Sequence, residues 1–189
     1  MIFNMIIYSA NREYIDSRAN RLNHYCEWSY NYLYNDVFKY WDENNLWDEF
    51  PVKLAEEYSN KLLPPSKQIV GCIGYTFYGT ELHIKRIFTV KHQRGKGYAK
   101  RLLEHAWKDG YNKGCKVIRM WCDKEAIPFY SKLGFKYLGI NKNEYAYVYT
   151  PLLTKNMSET LNKTKYLNPF KLLKETDIYI PDEAKIFCL

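Results

Sequence analysis

The sequence predicts an α/β fold in which a central twisted, mixed sheet carries helices on both faces. Three observations support this prediction. Segments of β character alternate with segments of helical hydrophobic spacing along most of the chain. A turn containing Gly95 and Gly97 leads from one β segment directly into a well-patterned helix. The chain has 189 residues, 47% of them hydrophobic, which suffices for one good core but not for two ordinary domains.

The first part of the chain is predicted to hold one strand and two helices. Residues 1–8 are apolar and short, and we interpret them as the first strand. Residues 12 to about 34 have helical spacing. A second helix is predicted over 52–62, because apolar residues recur at helical spacing and Pro64-Pro65 would end it.

The second part is predicted to hold five strands and two helices. The strands are expected at 69–78, 82–90, 116–122, 136–140 and 145–152, with Gly79-Thr80 joining the first two as a hairpin. The helices are expected from Gly97 towards Lys113, with Gly114 as the stop, and from 125 to 133. We expect a domain over 1–153 and a C-terminal extension over 154–189. The extension keeps apolar residues, which favours packing over a disordered tail that serves a partner.

The cysteines indicate a reducing, intracellular protein. Five of them are scattered along the chain, an odd number, and several lie within apolar segments. The Cys and His positions lack metal-ligand spacing, so no metal site is predicted. No apolar run approaches the ~18 residues of a membrane span. We therefore expect a cytoplasmic protein without a metal and without a membrane anchor.

The net charge of +7 is unevenly distributed along the chain. Residues 36–57 are rich in carboxylates, whereas much of the excess positive charge lies around 85–116. A basic segment of this kind suits a ligand with several phosphate groups. A solvated lysine-rich surface is the alternative interpretation.

Residues 84–99 predict an anion site. The segment passes from a strand through a turn with two glycines into a helix. The start of a helix presents unpaired N–H groups and a partial positive charge. Arg94 and Lys96 add positive charge beside those amides. The spacing fits neither the nucleotide P-loop nor the dinucleotide-binding fingerprint. A phosphorylated ligand of another class is therefore expected.

Two short motifs resemble those of one enzyme superfamily. Arg94-x-x-Gly97-x-Ala99 directly after a strand is similar to the pyrophosphate loop of the GNAT acyl-CoA N-acyltransferases. The segment 126–135, with its Phe129-Tyr130 pair and closing Gly-Phe, resembles the second signature of that superfamily. The likeness covers roughly 68–150. It departs from the family in two respects. The prolines leave little room for the short strand that usually precedes the strand at Ile69, so this strand is expected to be absent or fused. Asp123 stands where the family often has an asparagine, and a carboxylate near a polyphosphate is unfavourable, so that contact is expected to be lost or redirected.

The resemblance implies acetyl-CoA as co-substrate and a set of binding residues. Main-chain groups at the end of the strand before the glycine loop would contact the pantetheine arm, and the amides of the loop would hold the pyrophosphate. These residues are Phe88, Thr89, Val90, Arg94, Gly95, Lys96, Gly97, Tyr98 and Ala99.

The resemblance also implies the catalytic residues. Tyr130 matches the tyrosine that lies next to the thioester sulfur, and a phenol can donate a proton to a departing thiolate. On chemistry alone, Phe129 and Tyr130 are equally well explained as core aromatics. His83 lies where some members place a glutamate that acts as the base, and imidazole can serve at neutral pH. Glu81 and a chain of water molecules are the rival bases.

The implied function is transfer of an acetyl group to a primary amine by direct attack in a ternary complex. An aromatic cluster within 28–47 lies beside the acidic run and would suit a cationic acceptor, small molecule or protein. An ordinary aromatic core beneath an acidic surface explains it equally well. A non-catalytic acyl-CoA-binding module and a nucleic-acid-binding module are the alternatives, although few aromatic residues accompany the basic loop.

Overall fold

The computed structural model describes residues 5–10, 52–59, 66–141, 143, 145–151 and 154–166. The predicted helix at 12–34, the aromatic cluster and most of the acidic run lie outside the described residues. The same holds for 167–189 in the C-terminal extension.

Among the described residues, seven strands form a mixed sheet, which confirms the predicted fold class. They are β1 (Met5–Ala10), β2 (Val52–Ser59), β3 (Ser66–Tyr78), β4 (Glu81–Thr89), β5 (Val117–Asp123), β6 (Lys136–Ile140) and β7 (Tyr145–Pro151). Their order is β1-β2-β3-β4-β5-β7-β6. Strands β4 and β5 are parallel, whereas β1–β2, β2–β3, β5–β7 and β6–β7 are antiparallel. Gly79 and Thr80 form the predicted turn between β3 and β4.

Three α-helices accompany the sheet within the described residues: α1 (Tyr98–Asn112), α2 (Ile127–Leu133) and α3 (Met157–Thr164). Short 3₁₀ turns at Lys91–Gln93 and Lys124–Ala126 precede α1 and α2. Gly114, with φ of 78°, ends α1 as predicted, and the N–H of Cys115 bonds back to the carbonyl of Gly110. None of these described helices is long and apolar enough to cross a membrane.

The helix predicted over 52–62 is wrong for its described part, since Val52–Ser59 is strand β2. This strand is hydrogen-bonded to β1 on one side and to β3 on the other, and Ala55 within it is fully buried. Pairing on both sides outweighs the weak local preference for a helix. The short strand that was expected to be absent or fused is therefore present.

The chain divides into two compact units, and β3, β4 and α1 contribute residues to both. The first unit contains β1, β2, β3 as far as Tyr75, β4 from Arg86 onwards, and α1 as far as His105. Its core is formed by apolar side chains of strands and helix that are almost completely buried, such as Val70, Ile73, Leu102 and Leu103.

The second unit contains the turn between β3 and β4, the end of α1 and all elements from β5 onwards. Trp107, Leu82, Ile118, Tyr147 and Tyr149 are its most deeply buried large side chains. The indole N–H of Trp107 donates to the carbonyl oxygen of Thr154 at 2.7 Å. Helix α3 also belongs to this unit and was not predicted as a helix.

Candidate active site

The predicted anion loop lies in the first unit and has the geometry that a phosphate group requires. Residues 94–97 are exposed, and Gly95 and Gly97 have φ angles of 80° and 84°. A β-carbon built on either glycine would meet nothing within 4 Å, so the space beside the loop is open. Helix α1 begins immediately afterwards, where Arg101 N–H bonds to the Gly97 carbonyl at 3.1 Å. The first amides of a helix have no partner within the helix and can bind an anion.

The side chains of the loop brace its backbone. Arg94 Nε donates to the carbonyl of Thr89 at 3.2 Å, and Lys96 Nζ donates to Gln93 Oε1 at 2.6 Å. Gln93 and Tyr98 are buried, and both residues anchor the loop at its two ends. The loop therefore offers main-chain amides with two cationic side chains held close to them.

The end of β4 supplies the three residues predicted for a pantetheine arm. Phe88 and Thr89 are half-buried and Val90 is buried, with its N–H bonded to the carbonyl of Val70 at 3.0 Å. The β4–β5 ladder ends at the pair Ile84–Met120. Thr89 Oγ1 is buried and has no hydrogen-bond partner among the described residues. A buried polar atom of this kind and an open glycine loop fit a long polar ligand with a phosphate end.

Tyr130 lies in the second unit, on α2. Its side chain is 3% exposed and contacts the rings of Phe129 and Phe135, with centroid distances of 5.0 and 5.7 Å. Burial, assisted by the nearby Cys122 and Asp123, raises the pKa of Tyr130 well above its ordinary value. The phenol is therefore protonated at neutral pH and can act as a donor.

His83 lies in the second unit within a polar cluster that the sequence did not predict. Its Nε2 lies 2.7 Å from Glu81 Oε2, and the same carboxylate oxygen lies 2.8 Å from Arg119 Nε. Arg119 Nε also contacts His83 Nε2. The side chains of His83, Glu81 and Arg119 are only 13%, 15% and 16% exposed. We call these three residues the Glu81–His83–Arg119 cluster.

Strand register explains how this cluster forms. His83 on β4 lies opposite Arg119 on β5, and Arg119 lies opposite Tyr149 on β7. Arg119 also forms a hydrogen bond with the hydroxyl of Tyr147. Sequence analysis missed Arg119, although a charged residue in the middle of the apolar strand 117–122 was a usable signal, because a buried charge requires a partner.

Burial lowers the pKa of His83 below its usual value of 6.5. The hydrogen bond and charge of Glu81 act in the opposite direction, while Arg119 and Lys85 lower the pKa further. The imidazole is therefore neutral at pH 7. In the part of the chain that the structure describes, no group of three or more His, Cys, Asp or Glu residues could hold a metal ion.

Comparison with known proteins finds one matching family model and several proteins of similar fold. Residues 55–137, somewhat under half of the chain, match the family model of the acetyltransferase (GNAT) domain. A domain from Methanocaldococcus jannaschii is structurally similar, with a TM-score of 0.58, 14% identity, and coverage of 79% of this chain and 99% of that chain. The PaiA N-acetyltransferase from Thermoplasma acidophilum in complex with coenzyme A has a TM-score of 0.53 and 15% identity, covering 78% of this chain and 99% of that one.

An N-acetyltransferase from Staphylococcus aureus gives a TM-score of 0.52 with 19% identity, covering 79% of this chain and 99% of the other. At these identities the structural likeness concerns the fold. The family match covers β4, the glycine loop, α1, β5 and α2, which include both motifs. The GNAT fold supports acyl transfer that depends on an acyl-CoA. Residues 55–137 therefore resemble a GNAT acetyltransferase domain in sequence, and the chain has the fold of the structural neighbours named above.

Proposed function

We propose that the protein is an N-acetyltransferase that moves an acetyl group from acetyl-CoA to a primary amine by direct attack in a ternary complex. The observation that carries this proposal is the strand, glycine loop and helix start over residues 88–99. Phe88, Thr89 and Val90 would contact the pantetheine arm. The amides between Arg94 and Ala99 would hold the pyrophosphate.

The amine must lose a proton before or during attack. A free alkyl amine has a pKa near ~10, so about one molecule in a thousand is neutral at pH 7. His83 would accept this proton, since its lowered pKa keeps the imidazole neutral at pH 7. Glu81 is the rival base, and one of its oxygens lies within hydrogen-bond distance of both Arg119 and His83.

The departing thiolate needs a donor, and Tyr130 would supply it. The phenol is protonated at neutral pH, and because its raised pKa disfavours full proton transfer, Tyr130 would act by donating a hydrogen bond to the developing thiolate.

A covalent acyl-enzyme is not part of the proposal. The described cysteines are Cys72, Cys115 and Cys122, and all three are buried and free. Burial raises the pKa of Cys72 to about 12 and, together with Asp123, that of Cys122 to about 11. Such thiols are protonated and make poor nucleophiles, which supports direct attack by the amine.

The acceptor is proposed as an amine-bearing small molecule or protein, and the enzyme as cytoplasmic. The protein would use no metal. Residues 1–153 would form the catalytic domain and 154–189 an extension of it. Oligomerisation is not required by any step of this proposal.

Calorimetric titration of the full chain with acetyl-CoA tests the proposal. We expect micromolar binding that is lost in Gly97→Glu, because the new carboxylate would occupy the phosphate position. Gly114→Glu is the matched control: it adds the same charge at a glycine with φ of 78° and open space, at the other end of α1. Both variants share a backbone cost of about 1–2 kcal/mol, so only the position of the substitution differs.

The result for the intact protein decides between the function classes. No binding of acetyl-CoA would overturn the proposal, and binding to DNA or RNA that weakens steeply with salt would replace it with a nucleic-acid role. Binding without turnover on a panel of protein, polyamine and amino-sugar amines would indicate an acyl-CoA-binding module. Loss of binding in both glutamate variants would show that backbone strain, and not the phosphate loop, controls affinity.

A further inference from the structure

Arg119 occupies a central position among the polar side chains of the second unit. Its Nε lies 2.8 Å from Glu81 Oε2 and also contacts His83 Nε2. It forms another hydrogen bond with the hydroxyl of Tyr147. One guanidinium group thus connects residues of β4, β5 and β7.

We propose that Arg119 is a positioning residue whose guanidinium group holds the Glu81 carboxylate and the His83 imidazole together, and so keeps the imidazole oriented and neutral. This inference rests on the proposed role of His83 as proton acceptor. Arg119 itself would not contact the reacting atoms.

The chemistry of arginine suits this role. The guanidinium group is planar, always charged, and presents several N–H donors in a fixed fork. A carboxylate that accepts from this fork has less capacity to stabilise an imidazolium ion. The guanidinium charge also repels a proton on His83 directly. Because the three side chains are largely shielded from solvent, these effects are screened less than on the surface.

The charges around His83 make the sign of each effect testable. Among the described residues, Glu81 and Lys85 face it from β4, Arg119 from β5 and Tyr78 from β3, where the Tyr78 ring centroid lies 4.6 Å from that of His83. The Lys85 Nζ lies 5.3 Å from the Tyr78 ring. Glu81 favours protonation of His83, whereas Arg119 and Lys85 oppose it.

The proposal predicts opposite shifts in two variants. Arg119→Gln removes the opposing charge and releases Glu81, so the titration midpoint of His83 should rise by about one unit. Glu81→Gln removes the favouring charge, so the midpoint should fall by about one unit. Lys85→Gln is the graded control and should produce a smaller rise, since Lys85 is exposed and solvent screens its charge. Arg119→Lys keeps the positive charge but loses the forked N–H donors of the guanidinium group. The titration midpoint of His83 should therefore rise less than in Arg119→Gln.

Two measurements on the full chain test the shifts. The imidazole of His83 is titrated by NMR, with its signals identified by their absence in His83→Gln. The acid limb of the pH profile of kcat/KM is recorded with acetyl-CoA and an amine that the enzyme accepts. A purely structural Arg119 would lower stability or turnover at all pH values without moving either midpoint.

The outcomes separate this inference from the proposed function. NMR midpoints that rise in Arg119→Gln and fall in Glu81→Gln support the positioning role even when no amine is accepted. Midpoints that stay fixed, or that move in the same direction in both variants, overturn it. If the NMR midpoints move and the kinetic limb does not, His83 is not the base, and only that part of the proposed function fails.

Discussion

The sequence leaves two interpretations of Tyr130 open, because an aromatic residue on a short helix can either pack in the core or take part in the chemistry. The structure shows that its ring is packed between aromatic neighbours and that its phenol has a raised pKa. A buried phenol of this kind stays protonated over the whole physiological range and can donate a hydrogen bond. The two interpretations can be separated by removing the oxygen alone.

Tyr130→Phe should lower turnover by ~100-fold or more, because a general acid typically contributes 10²–10⁴-fold. Affinity for acetyl-CoA and the melting temperature should change little, since the ring contacts with Phe129 and Phe135 are kept. Steady-state kinetics and calorimetry on the same preparation measure these quantities. Tyr137→Phe, on the 39% exposed tyrosine of β6, is the control. Unchanged turnover in Tyr130→Phe would make the residue a core aromatic.

His83 shows how far the sequence could predict the candidate site. The residue could be singled out through the resemblance, by counting back from the glycine loop to the position where some family members place a glutamate. Its partner Arg119 lies 36 residues away and meets it through parallel pairing of β4 and β5. Such pairing depends on register between distant segments, which a single sequence does not specify. The loop glycines were predictable because their backbone conformation is encoded locally.

The helices and strands were predicted well where local sequence signals were strong, and poorly where pairing between strands determined the structure. Strand β6 was predicted with its observed bounds, and α1 to within a residue or so. Strand β2 was missed because a bulge between Ala55 and Glu56 interrupts its alternation. Helix α3 was missed because it is short, although Asn156 accepts from the N–H of Glu159 at 3.2 Å, and Asn followed three residues later by Glu is a helix-start signal.

Strand β3 contributes to the candidate binding site through a glycine. A β-carbon on Gly71 would lie 2.5 Å from the carbonyl oxygen of Phe88 and 3.3 Å from Leu102 Cδ1. The backbone of β3 therefore approaches that of β4 at the residues predicted to contact the pantetheine arm. The absence of a side chain at Gly71 permits this close approach of Phe88 and Thr89.

Gly71→Ala should force the main chain of Phe88 to move, at a cost of about 1–3 kcal/mol in stability. We also expect the Kd for acetyl-CoA to rise by about tenfold, equal to ~1.4 kcal/mol. Urea unfolding and calorimetry measure the two effects. Gly79→Ala, in an open turn with φ of 54°, should cost about 1–2 kcal/mol through backbone strain and leave affinity unchanged. Equal affinity in the two variants would contradict the assignment of the β4 end to the ligand.

At the scale of the whole molecule, the described part of the C-terminal extension is integrated into the second unit. Trp107 donates to Thr154, and Lys136 Nζ donates to the carbonyl of Lys165 at 2.8 Å. Met157, Thr160, Leu161 and Thr164 form the buried side of α3. These contacts support packing for 154–166, in agreement with the sequence-based preference. Helix α3 therefore contributes to the stability of the unit that carries Tyr130 and His83.

Leu161→Ala measures that contribution. Leu161 is 5% exposed, and a β-carbon built on Gly134, at the end of α2, would lie 3.2 Å from Leu161 Cβ. Truncation of this side chain leaves a cavity beside α2, so unfolding in urea should show a loss of about 2–5 kcal/mol. Lys163→Ala on the exposed side of the same helix removes only an ion pair with Glu159 and should cost about 0.5 kcal/mol or less. If both variants cost equally little, the fold of the second unit does not depend on the packing of α3.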